Sequence, residues 1–250
     1  MNLLFFDEAN VGDALSPVVY SYMLNRVGLS VGSYTRSNYT KLSCIGSIIQ
    51  NYNCDFTIWG SGFIKEYKKY PIVKKYIQRF DVRSVRGPLS HETLLRLNKI
   101  NKNLKVAYGD PAILMPYIYN PSKKKLKYDI SFVPHYKNKS ITPPLHIIKT
   151  QTLDYEHFID EIVSSRLVIS SSLHGIILSE TYGIPCIWLK TALNDYKFLD
   201  YYYSTGRKNI VFAKTIEEAL TIQPMNLPTN LDNLRNGLIQ SFPYDLWEKE

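Results

Sequence analysis

Apolar residues in this chain fall into short runs bounded by polar turns. Between the runs lie segments whose apolar positions recur every three or four residues. The clearest unit runs from Leu167 to Leu189. Leu167-Val168-Ile169 is a β-branched run of buried-strand length, followed by the serine turn Ser170-Ser171-Ser172. Leu173, Ile176, Ile177 and Glu180 then fall at helical spacing until Gly183 and Pro185 stop them, and Ile184 to Leu189 reads as the next strand. The turn between strand and helix carries His174. Unpaired amides and the positive end of a helix dipole favour an anion there. Open α/β sheets bind ligands beyond the carboxyl ends of their strands. The unit therefore reads as an anion site with a titratable group inside it.

The same alternation organises the rest of the chain. Asn2–Phe6 reads as a strand, and Asn10-Val11-Gly12-Asp13 as a turn before a helix over Ala14–Val27, with Leu15, Val18, Val19, Tyr22, Met23 and Arg26 on one stripe. Pro17 fits that helix if it falls in the first turn. Val31–Thr35 is a second candidate strand, and Cys44–Gln50 is helix or strand. Asp55–Trp59 is a strand closed by Gly60-Ser61-Gly62, and a strand from Val82 leads into a helix over Ser90–Asn98 capped by Ser90. Lys105–Tyr108 is a brief strand ending in Gly109-Asp110-Pro111. These five strand–turn units predict a parallel, doubly wound half. Pro116–Lys127 reads as a linker, which divides the chain into domains at 1–120 and 121–250. In the second, strands are expected at Tyr128–Val133, Leu145–Thr150 and Asn209–Phe212. Helices are expected at Tyr155–Ser164, Thr215–Thr221 and Asn230–Phe242, the last packing back on the first domain.

Composition narrows the class. The chain has 250 residues, 45% hydrophobic and 21% charged, which describes a globular protein with ample core. The net charge of +8 points to an anionic substrate, a polyanion or a membrane surface. Much of the excess sits in the lysine clusters Lys65–Lys75 and Lys123–Lys127, which read as solvated faces. With no nucleic-acid signature beside them, nucleic acid is not an expected partner. Three cysteines, Cys44, Cys54 and Cys186, are too few and too irregular for a disulfide framework or a zinc site. Asp7-Glu8 interrupts the apolar start, so no signal peptide is read there. No run approaches the roughly 20 apolar residues of a membrane span. The expected location is cytoplasmic, with at most a peripheral contact at the inner face of a membrane.

Six motifs occur in one order: Asn10-x-Gly12-Asp13, Trp59-Gly60-Ser61-Gly62, Val85-Arg86-Gly87-Pro88-Leu89-Ser90, Gly109-Asp110-Pro111-Ala112, Val133-Pro134-His135-Tyr136 and Ser172-Leu173-His174-Gly175. Each is weak alone; together they resemble the polysaccharide pyruvyl transferases from about residue 10 to 190. The resemblance implies a GT-B-like α/β fold, two Rossmann-like domains with parallel sheets facing across a cleft. The first would lie on the acceptor side and the second on the donor side. It implies transfer of a pyruvyl group from phosphoenolpyruvate to two hydroxyls of a sugar, giving a cyclic ketal and phosphate, in the making of capsule, exopolysaccharide or cell-wall polymers. Many members carry arginine immediately before Leu-His-Gly; here that position is Ser172.

Phosphoenolpyruvate carries a carboxylate and a phosphate on three carbons, so binding calls for a guanidinium and helix-start amides. Arg86 with Ser171, Ser172, Leu173 and Gly175 is the expected donor site, with Arg83, Arg166 and Lys137 as other cations. An imidazole with an ordinary pKa near 6.5 serves as acid and base near neutrality; His174 is assigned that role, with His135 second and Asp13 beside them. Asn10, Gly12, Gly60, Ser61 and Asp110 are assigned to the acceptor. The scheme needs no metal and no cofactor beyond phosphoenolpyruvate as co-substrate. Each assignment has a structural rival: Arg86 as a salt-bridge partner of Asp110 or Glu92, Gly60 and Gly62 as turn formers, Asp110-Pro111 as turn chemistry, Tyr201-Tyr202-Tyr203 as packing. At the level of function the rivals are a nucleotide-sugar glycosyltransferase and a non-catalytic glycan- or anion-binding protein.

Overall fold

Two parallel sheets, each five-stranded among the described residues, carry the molecule. The computed structural model describes residues 1–5, 9–35, 41–67, 79–121, 125–136, 144–191 and 195–247. Phe6, Asp7-Glu8, Lys137, most of the Lys65–Lys75 cluster, and Lys123 and Lys124 of the second lie outside them. The first sheet contains β1 (Asn2–Leu4), β2 (Lys41–Ser43), β3 (Phe56–Trp59), β4 (Phe80–Val85) and β5 (Ala107–Tyr108). The second contains β6 (Tyr128–Val133), β7 (His146–Ile147), β8 (Ser165–Ser170), β9 (Cys186–Leu189) and β10 (Phe212–Ala213). The helices are α1 (Val11–Asn25), α2 (Pro88–Arg96), α3 (Tyr155–Val163), α4 (Leu173–Thr181), α5 (Tyr196–Ser204), α6 (Ile216–Ala219) and α7 (Leu231–Ser241).

The two sheets differ in winding. The second runs β10-β9-β8-β6-β7, so strand order reverses between β6 and β8, where ligands bind in doubly wound sheets. The first runs β1-β2-β3-β4-β5 in sequence, so the doubly wound first half expected from the strand–turn units is not found. Register aligns Val133 with Ser170 at the carboxyl ends of β6 and β8, which brings the Pro134–Tyr136 loop and the serine turn side by side.

Several local expectations shift for identifiable reasons. α1 starts at Val11 because the Asn10 side chain accepts from the Gly12 amide and caps it there. Pro17 consequently lies inside the helix, a position that costs about 3 kcal/mol. Burial of Val11, Leu15, Val19, Tyr20, Met23 and Leu24 on the stripe opposes that cost. α2 begins two residues before Ser90, because Pro88 suits the first helical position and Gly87 takes the cap. Ser90 instead turns its hydroxyl inward, to Asp200 and to the Phe63 amide. Val31–Thr35 is not a strand; only Thr35 makes an isolated antiparallel bridge, to Trp247. The strand lies at Lys41–Ser43, and Ile49–Asn51 is a 3₁₀ turn. Pro116 falls within a 3₁₀ turn, Pro111–Tyr117, opened by Asp110.

One hydrophobic cluster takes residues from both halves, joining Val11, Leu15, Val19 and Trp59 to Val133, Ile159, Leu173 and Ile176. α1 packs on α3, and the Pro111–Tyr117 turn packs on both α1 and α4. α4 is buried along most of its length, Leu173 and Gly175 through Thr181, as a helix enclosed by other elements must be. α7 lies against β4 and β5, with the Trp59 indole N–H donating to the Leu238 carbonyl at 2.9 Å. Among the described residues no helix is long and apolar enough to cross a membrane.

Candidate functional site

The ends of strands from both sheets meet at His174, in the first turn of α4. Its imidazole lies directly on the backbone of Gly12 at the start of α1, where any Cβ would overlap the ring. That contact, not chain reversal, is the reason for a glycine at position 12. The α1 start is held to the second sheet's loops by the Val11 amide, which donates to the Thr150 carbonyl at 2.9 Å. His174 Nε2 stands 3.8 Å from Asp110 Oδ2. Both atoms are sealed from solvent and neither has a hydrogen-bond partner. Of the His174 side chain 14% remains exposed; of Asp110, nothing.

Asp110 is held by its own turn and by packing. Its Oδ1 accepts the Ala112 amide at 3.1 Å, and Pro111 packs against Gly60, which takes the left-handed φ of +86° and has no room for a Cβ. Burial without a partner disfavours the charged form. It raises the Asp110 pKa to about 6, against the pull of the Ala112 amide and Arg86 and with the help of Asp200. Burial lowers His174 to about 3, and the positive charges of Lys197 and Arg86 push the same way. With no anion beside it, the imidazole is therefore neutral at neutral pH.

Around this pair the expected residues divide. Ser171 Oγ accepts the His135 amide at 2.8 Å, which ties the loop after β6 to the serine turn. Ser172 caps α4 without a side-chain hydrogen bond, its own amide donating to Ser170 Oγ. Leu173 is core, and Gly175 leaves no room for a Cβ against Ser170 Oγ and Val133. His135 comes to the same place, its Nε2 3.5 Å from Lys197 Nζ and its ring against Tyr136. Asp13 lies by the Gly46 turn.

Three of the expected residues are engaged inside the protein. Arg86 is wholly buried: Nε and Nη2 meet Asp200 Oδ2 at 3.2 and 3.1 Å, Nη1 donates to Ser47 Oγ at 2.6 Å, and Nη2 to the Phe63 carbonyl at 2.7 Å. Its guanidinium is thus committed within the protein, and its partner is Asp200, not Asp110 or Glu92. Ser61 is likewise buried with its hydroxyl on the Cys44 carbonyl, so Gly60-Ser61 is a packed turn with no hydroxyl facing an acceptor. Asp110 faces His174 rather than open space. Of the other cations, Arg83 pairs with Asp81 and Asp245, and Arg166 with Asp129.

Lys197 and Asp200 escaped the reading of the sequence because α5 did. Its signal was Phe198, Tyr201 and Tyr202 at helical spacing, all buried. The tyrosines there are helical packing residues: Tyr201 donates to the buried Glu180 at 2.8 Å, and Arg207 covers both rings and pairs with Glu180.

A sealed histidine–aspartate pair beside two cations, at a convergence of strand ends, coincides with the matched region of a known family. The profile of the polysaccharide pyruvyl transferases covers residues 27–192, well over half of the chain. The chain belongs to the polysaccharide pyruvyl transferase family. It is 28% identical over 214 residues to an uncharacterized protein of Acanthamoeba polyphaga mimivirus, spanning 79% of this chain and 71% of that one. It is 26% identical over 138 residues to the succinoglycan biosynthesis protein ExoV of Rhizobium meliloti, spanning 52% of this chain and 42% of ExoV. A crystal structure of a functionally uncharacterized protein from Klebsiella pneumoniae aligns at a TM-score of 0.47 and 16% identity, over 81% of this chain and 87% of the other.

Proposed function

We propose that this pyruvyl transferase family member moves a pyruvyl group from phosphoenolpyruvate to two hydroxyls of a sugar in a polysaccharide or its lipid-linked precursor. The products are a cyclic ketal and phosphate. The observation that carries this reading is the unpartnered Asp110–His174 pair at the meeting of the two sheets' strand ends. We further take the sheets to face each other across a GT-B-like cleft, with the acceptor on the side of the first sheet.

The charges dictate the order of events. Before a donor binds, His174 is neutral because it is buried beside Lys197 and Arg86. A donor with a phosphate and a carboxylate offsets those charges and draws a proton onto the imidazole, which Asp110 stabilises through Nε2. The imidazolium gives that proton to the donor's methylene carbon, and a sugar hydroxyl adds to the resulting cationic carbon, returning its proton to His174. Phosphate then leaves with its electron pair, and the second hydroxyl closes the ketal as its proton passes to the phosphate. Protons balance: one ends on carbon and one on phosphate. A lipid-linked acceptor would bring the enzyme to the inner face of a membrane in the cytoplasm.

Phosphate release, measured with phosphoenolpyruvate and a panel of synthetic and lipid-linked glycans, tests the proposal. Acceptor-dependent release is the expected result. Turnover with a nucleotide sugar alone would make the chain a glycosyltransferase, and binding without turnover a glycan- or anion-binding protein.

A further inference from the structure

We infer that the groove between α1 and the Pro111–Tyr117 turn holds the acceptor's glycan chain beyond the sugar that reacts. The inference rests on the polysaccharide-acceptor reading above and adds to it a second binding site, away from the chemistry. The groove has a volume of about 520 Å³, within the range of sites that take small ligands. Pro17, Ser21, Tyr22 and Asn25 form one wall, and Tyr117 and Ile118 the other. Positions 17, 21 and 25 recur every four residues, on the side of α1 away from the buried Leu15, Val19 and Met23. Both walls start at the pair described above: Gly12 lies under the His174 imidazole, and Asp110 opens the turn. At a rise of 1.5 Å per residue the groove runs from roughly 8 to roughly 20 Å along α1 from Gly12. That is the reach of a short oligosaccharide.

The lining says what kind of ligand fits. None of its side chains is charged, and α1 holds no Asp, Glu, Lys or Arg from Ala14 to Asn25. A helix face turned only to water ordinarily carries charges. In a chain of net charge +8 this neutral face selects a neutral ligand and offers an anion nothing. The Ser21 hydroxyl and the Asn25 amide have no hydrogen-bond partner among the described residues. An apolar occupant would cover them unpaired, which is costly, whereas sugar hydroxyls satisfy a hydroxyl and an amide alike. The two tyrosines supply flat apolar surface for the C–H faces of sugar rings. Both are held from behind. Arg26 lies over the Tyr22 ring at 5.7 Å and donates to its hydroxyl at 3.1 Å. Arg235 lies 5.6 Å from the centre of the Tyr117 ring, itself fixed by the Ile113 carbonyl and Asp232, and Tyr117 stays 49% exposed. Rings fixed in advance lose little freedom when a ligand stacks on them. Pro17 breaks the helix ladder at the floor of this groove, and departures from local rules gather at working surfaces.

The test compares mono- and tetrasaccharide acceptors of the same hexoses, free and polyprenyl-linked, by phosphate release and by calorimetric titration of the full chain. Wild type should bind the tetrasaccharide more tightly and show the lower KM for it. Tyr117→Ala is expected to weaken the tetrasaccharide by about 10-fold, the effect of a lost ring contact and its burial, and so to erase the preference for length. Asn25→Ala should weaken it by about 2- to 10-fold, as loss of one hydrogen bond does, without lowering the melting temperature. Tyr117→Phe, which keeps the ring, should restore binding to within a few-fold. If wild type releases phosphate but its acceptor KM ignores sugar number, follows the polyprenyl chain instead, or keeps its length preference in Tyr117→Ala, the inference fails and the reading of the activity stands. Tetrasaccharide binding that is lost in Tyr117→Ala, with no turnover of phosphoenolpyruvate, would keep the groove and overturn the activity. If wild type neither binds a glycan nor consumes phosphoenolpyruvate, both fail.

Discussion

Asp110 Oδ2 and His174 Nε2 face each other at 3.8 Å, both sealed from solvent and both without a hydrogen-bond partner. A buried polar atom left unmade costs about 1–3 kcal/mol, so the arrangement is retained at a cost to stability, as strain at a working site is. In the proposed reaction the pair earns its place only when His174 carries a proton. His174→Ala should therefore lower kcat by about 10²- to 10⁴-fold with the melting temperature maintained. Asp110→Asn should lower kcat with little change in the donor KM. Steady-state phosphate release with parallel thermal melts checks both. Equal unfolding of the two variants would make the pair structural.

The same two groups set opposite responses of stability to pH. Asp110 has its pKa raised on folding to about 6, so its contribution is present below its ordinary 3.8 and lost as pH rises through about 6. His174 has its pKa lowered on folding to about 3, so its contribution is present above its ordinary 6.5 and lost as pH falls toward 3. The histidine's window is the wider. Denaturant midpoints measured from pH 7 to pH 4 should flatten in His174→Asn and fall more steeply in Asp110→Asn. An unchanged slope in both variants would show that neither group is held as described.

Gly12 is a steric requirement of the site. A Cβ at position 12 would run into the His174 imidazole. Gly12→Ala is expected to destabilise by about 1–3 kcal/mol and to reduce kcat. Gly32→Ala is the control: its nearest neighbour would be Ser30 Oγ at 3.9 Å, so it should stay within about 0.5 kcal/mol of wild type. Urea unfolding of the two variants decides the matter.

Breaking the buried Arg86–Asp200 pair from one side should cost more than removing it. Arg86→Met leaves Asp200 buried without its countercharge, which costs about 3–5 kcal/mol. Removing both charges in Arg86→Met/Asp200→Leu should recover part of that loss. A double-mutant cycle measures the coupling, and additive effects would mean that the two residues act independently.

What could be read from the chain alone were the elements whose signal is local. The β8–turn–α4–β9 unit was legible because apolar runs, a serine turn and a Gly/Pro stop lie within two dozen residues, and it carried His174 with it. The six motifs marked the family for the same reason, each being short and contiguous. Central but short β2 was not legible, since three residues hold no periodicity. Nor was α5, whose tyrosines are ordinary helix formers kept helical by burial of Phe198, Tyr201 and Tyr202. Sequence set the turns, the caps and the histidine. Folding alone decided that Asp110 meets His174, that Arg86 is spent on Asp200, 114 residues away, and that one sheet reverses its strand order while the other does not. Those pairings depend on how distant segments share one core, and no spacing along a chain records that.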